Sequence, residues 1–98
     1  MAQISLPEEE VARFCRQNHI QRLALFGSVL RDDFGPDSDV DVLVEFDPDA
    51  RVGLHFFTLE QELSEILGRK VDLNTLGFLS KYFRDEVLAE AEVHYDAA

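Results

Sequence analysis

Polar and apolar residues alternate most clearly in one short segment of the chain, VDVLVEF. In this segment, residues 40–46, the even-numbered positions are all apolar and share one face of a strand, whereas Asp41 lies on the other. Two further strands are predicted, one over 20–26 and a shorter one within 69–76. The end of the chain, from residue 93 onward, is expected either to form a small extra strand or to fray.

Apolar residues three and four positions apart predict helices between these strands. The first helix lies within 4–20, where an S-x-x-E pattern fits a capping box, and another runs over about 54–67. A short helix is expected over 28–33 and a last one from Ser80 onward. The last helix is expected to bury Phe83, Val87, Leu88 and Ala91. The order α-β-α-β-α-β-α predicts an α/β (α+β) fold with a small three-stranded mixed or parallel sheet flanked by helices.

The composition is that of one small and strongly acidic domain, taken here as residues 1–98. Apolar residues make up 46% of the chain, which suits a globular core rather than disorder. Nine basic residues stand against 20 acidic ones, a net charge of −11. This charge argues against direct binding of nucleic acid through its phosphates, which requires many Lys and Arg side chains. A polyanion would have to bind through a metal cation, and an acidic surface suits a basic protein partner.

The same composition carries expectations about location. No apolar stretch approaches the ~20 residues of a membrane-spanning helix, and the start, MAQISLPEEE, lacks the features of a signal peptide. The sequence therefore predicts a cytoplasmic protein without a membrane association. A single cysteine, Cys15, has no Cys partner for a disulfide or zinc site and is expected to be a packed thiol.

Two carboxylates stand side by side where the second strand begins. Asp39 and Asp41 point the same way, with Cα atoms roughly 6.6 Å apart. Their mutual repulsion, at an effective dielectric constant of ~20, is about 3 kcal/mol. A divalent cation would reverse the sign of that interaction, and hard oxygen ligands of this kind suit magnesium. If the third strand lies beside the second, Asp72 completes a cluster of three, which can hold two metal ions.

Less specific interpretations compete with a metal site. An Asp-x-Asp pair on a strand is often just the solvated face of a sheet, and a solvated Asp72 is equally ordinary. A calcium-binding EF-hand loop is excluded, because Val42 stands where its glycine is required and Pro48 where its glutamate is required.

A Gly-Ser pair follows the first strand at residues 27 and 28. Gly27 lets the backbone approach a phosphate closely, and backbone N–H groups with the Ser28 hydroxyl can bind an anion. The chain carries neither a Walker loop nor a G-x-S-x-G nucleophile elbow. A lone Gly-Ser is usually an ordinary turn, so its distance to Asp39 decides its value.

Gly27 and Ser28, ten further residues, and then Asp39-Val40-Asp41 form the pattern G-S-x10-D-x-D. This pattern resembles the signature of the nucleotidyltransferase superfamily typified by DNA polymerase beta. Within it, the chain is similar to the minimal nucleotidyltransferases, prokaryotic domains of about this length. These are paired with HEPN-domain proteins as toxin–antitoxin systems, in which the minimal nucleotidyltransferase is the antitoxin.

The resemblance implies a chemistry and a set of site residues. Asp39, Asp41 and Asp72 would bind two magnesium ions that hold ATP, with Asp72 also the base for the attacking hydroxyl. Gly27 and Ser28 would cradle the β- and γ-phosphates. Two further residues fall where the family commonly carries the same types: Arg31 would support the leaving pyrophosphate or hold the loop, and Ser38 would join the nucleotide site.

The partners also follow from the resemblance. The expected activity is transfer of AMP from ATP to a tyrosine hydroxyl of a HEPN toxin, and the expected assembly is a homo- or hetero-oligomer. Asp32 departs from the family, which often carries Arg-Gly at 31–32, and it adds a negative charge near the triphosphate. An inactive antitoxin that neutralises its toxin by occlusion therefore stays open. So does a transferase that modifies another protein or a small molecule.

Overall fold

The computed structural model describes residues 2–97 and contains three α-helices and four strands in this part of the chain. The helices are α1 (Glu8–Gln17), α2 (His55–Leu67) and α3 (Lys81–Glu90). The strands are β1 (Ile20–Phe26), β2 (Val40–Phe46), β3 (Val71–Asn74) and β4 (Glu92–Asp96). Two 3-10 turns, Gly27–Leu30 and Leu76–Phe78, follow β1 and β3. The first of them replaces the short helix predicted over 28–33.

The four strands form one mixed sheet in the order β3-β2-β1-β4. β1 is antiparallel to both β2 and β4, whereas β2 and β3 are parallel and joined by α2. The mixed α/β class is confirmed, but the sheet has four strands and not three, because the end of the chain forms the small extra strand that was one of the two expectations for it. β4 pairs with β1 at the sheet edge, where its outward-facing Val93 is half exposed and leaves little hydrophobic alternation to detect.

One face of the sheet carries the main core. α1 and α2 cover it, and their apolar stripes meet the even-numbered valines of β2, as the alternation predicts. Cys15 is completely buried in this core, and burial raises the pKa of its thiol to about 12. The expectation of a packed thiol is therefore confirmed.

The other face is covered only in part, by α3. Val87 of this helix packs on Phe26 and Leu43 in a small second cluster. Phe83 and Leu88 were expected to be buried as well but are 59% and 49% exposed, so that prediction is wrong. This face also carries Arg22, Glu45 and the carboxylates of β2 and β3, so it offers little apolar surface for a helix to bury.

The helix ends follow the sequence signals with one exception. Gly68 ends α2 in the left-handed conformation, with φ +68°, and the Ser80 hydroxyl accepts a hydrogen bond from the Tyr82 N–H at the start of α3. The capping box predicted for Ser5 is wrong, because α1 begins after Pro7 without a side-chain cap. Across residues 2–97, none of the helices has the length and hydrophobicity needed to cross a membrane.

Candidate functional site

The register of the sheet brings the predicted carboxylates together. In the parallel pair, Asp41 of β2 stands directly opposite Asp72 of β3. In the antiparallel pair, Asp41 stands opposite Phe26, the last residue of β1, so that Gly27 follows immediately. Two aspartates and the Gly-Ser turn therefore meet at one end of three neighbouring strands.

The electrostatics of Asp41 show how closely the acidic groups approach one another. Partial burial, the negative charges of Asp72 and Asp39, and a hydrogen bond shared with the Asp72 carboxylate together raise the pKa of Asp41 to about 6. Arg31 acts in the opposite direction but is the smallest of these influences. Three carboxylates thus interact across this end of the sheet, as the two-residue spacing and the strand order require.

Asp39 lies at the margin of this group. Its carboxylate is 3.9 Å from the Lys70 ammonium, and both side chains are largely exposed, at 44% and 81%. A pair this open contributes little to stability and is easily exchanged for another partner. The Lys70 ammonium therefore holds the Asp39 carboxylate only loosely in this orientation.

Gly27 makes the closest approach to the carboxylates. Its φ of +76° lies in the left-handed region that favours glycine. A Cβ at this position would collide with Oδ2 of Asp41 and lie 3.2 Å from its Cγ. The turn can therefore sit against Asp41 only because residue 27 has no side chain. Ser28 follows, half-buried, and its carbonyl accepts the Arg31 N–H at 2.9 Å.

Glu90, the last residue of α3, also belongs to this site. Its Oε1 accepts a hydrogen bond from the Gly27 N–H at 3.1 Å, and its Oε2 lies 3.5 Å from Nη2 of Arg31. The sequence analysis did not identify Glu90, which is 63 residues from Gly27 along the chain. No local pattern marks a contact of this kind, since it depends on how α3 crosses the sheet.

Ser38 lies in the loop that leads to Asp39. Its hydroxyl accepts a hydrogen bond from the Gly35 N–H at 3.1 Å. Arg69, a second residue that sequence reasoning missed, donates to the carbonyls of Gly35 and Ser38 and stacks over the Phe34 ring at 4.4 Å. These contacts fix the shape of the loop, and a role for Ser38 in nucleotide binding stays a prediction.

Two open cavities flank the carboxylates. One, of about 370 Å³, lies between the Gly-Ser turn and α3, and its lining includes Gly27, Arg31, Phe83, Glu86 and Glu90. The other, of about 480 Å³, lies on the side of Asp39 and is lined by Pro36, Asp37, Ser38, Asp39, Gly68, Arg69 and Lys70. Both are large enough for part of a nucleotide. The second includes Asp39 in its lining, and the first reaches the carboxylates only through Gly27, which lies against Asp41.

The three carboxylates of Asp39, Asp41 and Asp72 have the oxygen donors that magnesium prefers, but they do not form a complete metal site on their own. Within residues 2–97, no three His, Cys, Asp or Glu side chains already surround a point where a metal ion could sit. Magnesium is commonly held by one or two carboxylates, with substrate phosphates and water completing its shell. Burial first, and then the negative charges of Asp72 and Asp39, raise the pKa of Asp41, and a bound cation would oppose these effects. Asp41 and Asp72 thus supply carboxylate donors of the kind that magnesium takes, and a magnesium site that also includes Asp39 stays a prediction.

Comparison with known proteins agrees with the motif. Residues 8–94 match the model of the nucleotidyltransferase domain family. The protein adenylyltransferase MntA of Thermococcus cleftensis is 37% identical over 71 residues, which cover 72% of this chain and 71% of that protein.

Solved structures give the same assignment. A toxin–antitoxin structure with AMP-PNP contains a chain that superimposes with a TM-score of 0.75 at 26% identity, over 93% of this chain and 74% of that one. A tri-AMPylated HEPN toxin of Shewanella oneidensis in complex with an MNT antitoxin gives a TM-score of 0.67 at 25% identity, over 91% and 69%. The family predicted from G-S-x10-D-x-D is thereby confirmed, and this chain belongs to the nucleotidyltransferase domain family.

Proposed function

We propose that this protein is a magnesium-dependent adenylyltransferase that transfers AMP from ATP to a tyrosine hydroxyl of a HEPN-domain toxin and thereby acts as its antitoxin. The observation that carries the proposal is the meeting of Asp41 and Asp72 with the Gly27 backbone at one end of the sheet. The relatives support the choice of substrate and partner, since their names include protein adenylyltransferase and an AMPylated HEPN toxin.

Each site residue has a place in this reaction. Asp39 and Asp41 hold the metal ions, with Asp72 as the third ligand, while Gly27, Ser28, Arg31 and Ser38 bind the nucleotide. Magnesium, when bound, neutralises the charge that builds up on the phosphates. The net charge of −11 makes this necessary, because an acidic site without cations would repel ATP.

Asp72 is placed to receive the acceptor's proton. It is exposed on the edge strand β3, where a large acceptor can reach it, and it lies beside Asp41. The acceptor oxygen forms a bond to the α-phosphorus as the bond from that phosphorus to the bridging oxygen of the β-phosphate breaks. Pyrophosphate leaves, and the hydroxyl proton passes to the Asp72 carboxylate.

The surface of the chain suits a protein partner. Tyr82 and Phe83, at the start of α3, are 81% and 59% exposed, and Phe83 also lines the cavity beside Gly27. Apolar side chains at the rim of a site are suited to contact with another protein. We propose that the toxin docks here as a hetero-oligomer in the cytoplasm, without direct contact to nucleic acid.

The test is transfer of label from α-³²P-ATP, in the presence of magnesium, to the protein encoded beside this chain, which the proposal expects to be a HEPN protein. We expect the wild type to label that protein, and Asp39→Asn to lose the label. Asp33→Asn is the matched control, because Asp33 is an exposed acid of the same loop that lies outside both cavity linings and does not act on Asp41, and it should retain transfer.

Two results would contradict the proposal. A tight complex that forms without any label would favour neutralisation by occlusion. Label on small molecules or on an unrelated protein, with none on the HEPN protein, would place the same chemistry on another acceptor.

A further inference from the structure

The carboxylate of Glu90 bridges the two parts of the turn that face the proposed phosphate site. It accepts from the Gly27 N–H at 3.1 Å and lies 3.5 Å from the Arg31 guanidinium. We propose that Glu90 is a positioning residue, which orients Arg31 and the Gly27 backbone for the triphosphate of ATP. The inference rests on the proposed function, since it assumes that phosphates bind at this turn.

The fold holds Glu90 firmly against the turn. Glu90 ends α3, and β4 begins two residues later, at Glu92. β4 pairs at once with the end of β1, with Glu92 opposite Leu25 and Val93 opposite Ala24. Because β1 runs directly into Gly27, the backbone on both sides of the Glu90 contact belongs to the same sheet.

The contact with Glu90 restricts the side chain of Arg31, which is otherwise exposed and mobile in rotamer. Its side chain is 57% exposed and follows a 3-10 turn, so on its own it would sample many rotamers. A guanidinium has five N–H donors, and a contact through Nη2 leaves the others available to phosphate oxygens. Holding the side chain before the nucleotide arrives removes part of the entropy cost of binding.

Glu90 also accepts the hydrogen bond of the Gly27 N–H. Residue 27 stands at φ +76° beside Asp41, and a hydrogen bond to its N–H stabilises that conformation. The triphosphate would therefore meet a Gly27 backbone whose conformation is already set.

The experiment measures KM for ATP and kcat of AMP transfer in Glu90→Gln, Glu90→Ala, Arg31→Ala and the Glu90→Gln/Arg31→Ala double variant. For an exposed charged contact, we expect KM to rise about three- to tenfold in Glu90→Ala. Glu90→Gln should rise less, because its amide oxygen still accepts from Gly27, and kcat should change less than KM in both. The double variant should match Arg31→Ala, since the main effect of Glu90 passes through Arg31.

Asp85→Asn is the control, because Asp85 is an exposed acid of the same helix that lies outside the cavity lining and outside the contacts of Gly27. It removes the same charge and should leave KM within about twofold. Thermal unfolding of each variant checks that it is folded. If Glu90→Ala does not fold, the KM of Glu90→Gln still tests the proposal.

The outcomes separate this inference from the proposed function. A lower KM for ATP in the Glu90 variants would show that the carboxylate competes with the phosphates, and it would overturn the positioning role. An unchanged KM, or additive effects of the two substitutions in the double variant, would overturn it as well. In each of these cases the wild type still transfers AMP. Failure of the wild type to bind magnesium-ATP or transfer AMP would instead overturn the proposed function, and this inference with it.

Discussion

Asp41→Asn will abolish AMP transfer and at the same time raise the unfolding temperature of the free protein. Transfer should fall at least about 10²-fold, because one of the carboxylates that hold the charged nucleotide is lost. Stability should rise because the pKa of about 6 shows that the ionised Asp41 is held in an unfavourable place. After allowance for solvent screening, removing that charge is expected to stabilise the fold by about 1–2 kcal/mol at pH 7. This corresponds to an increase in Tm of roughly 5–10 °C.

The stability gain should depend on pH in a defined direction. The pKa of Asp41 is raised from 3.8 to about 6, so its favourable contribution is present below pH 3.8 and is lost as the pH rises through about 6. The groups that face it are Asp72 and Asp39, which raise the pKa, and Arg31, which lowers it. The difference in Tm between Asp41→Asn and the wild type should therefore be small near pH 4 and reach its maximum above pH 6.

Differential scanning calorimetry without ligand and with magnesium and a non-hydrolysable ATP analogue measures both effects. Asp33→Asn again serves as the control, since it removes an exposed charge from the same loop. A lower Tm of the free Asp41→Asn variant, or a shift with nucleotide as large as that of the wild type, would contradict this account of Asp41.

Gly27→Ala is expected to be strongly destabilising and to abolish nucleotide binding. The new Cβ would occupy a left-handed conformation and collide with the Asp41 carboxylate. The conformational penalty and the overlap together are expected to cost about 2–4 kcal/mol of stability. Because relief of the overlap requires Asp41 to move, binding of magnesium-ATP should be lost even in molecules that remain folded.

The chain offers matched controls for this variant. Gly53 and Gly68 have φ values of +53° and +68°, and a Cβ on either meets nothing within 4 Å. Alanine at these positions should cost only about 1–2 kcal/mol and leave nucleotide binding intact. Equal losses of stability in all three variants, measured by urea denaturation, would show that the approach of Gly27 to Asp41 is not the cause.

The sequence predicted the parts of this fold that rest on local patterns. The alternation in β2, the glycine at the end of α2 and the serine at the start of α3 each report a short-range preference, and the structure agrees. β4 was harder to predict, because an edge strand with one exposed face needs little hydrophobic periodicity. Phe83 and Leu88 were predicted to be buried but are exposed. Helical spacing identifies an apolar stripe on a helix, but it does not show whether another part of the protein covers that stripe.

The candidate site divides in the same way. Asp39, Asp41, Gly27 and Ser28 follow from a spaced motif, and the position of Asp72 required only that β3 lie beside β2. Glu90 and Arg69 could not be found by such reasoning. Their contacts join residues 63 and 31–34 positions apart, and each depends on the final packing of an element that carries no motif.

The most direct test of the central claim is a crystal structure with manganese and a non-hydrolysable ATP analogue, in which anomalous scattering locates the metal. The account predicts manganese bound to the carboxylates of Asp39, Asp41 and Asp72, with the triphosphate against Gly27 and Ser28. Metal and nucleotide bound elsewhere, for example in the cavity beside Arg69 and Lys70 without a contact to Asp41 or Asp72, would contradict it.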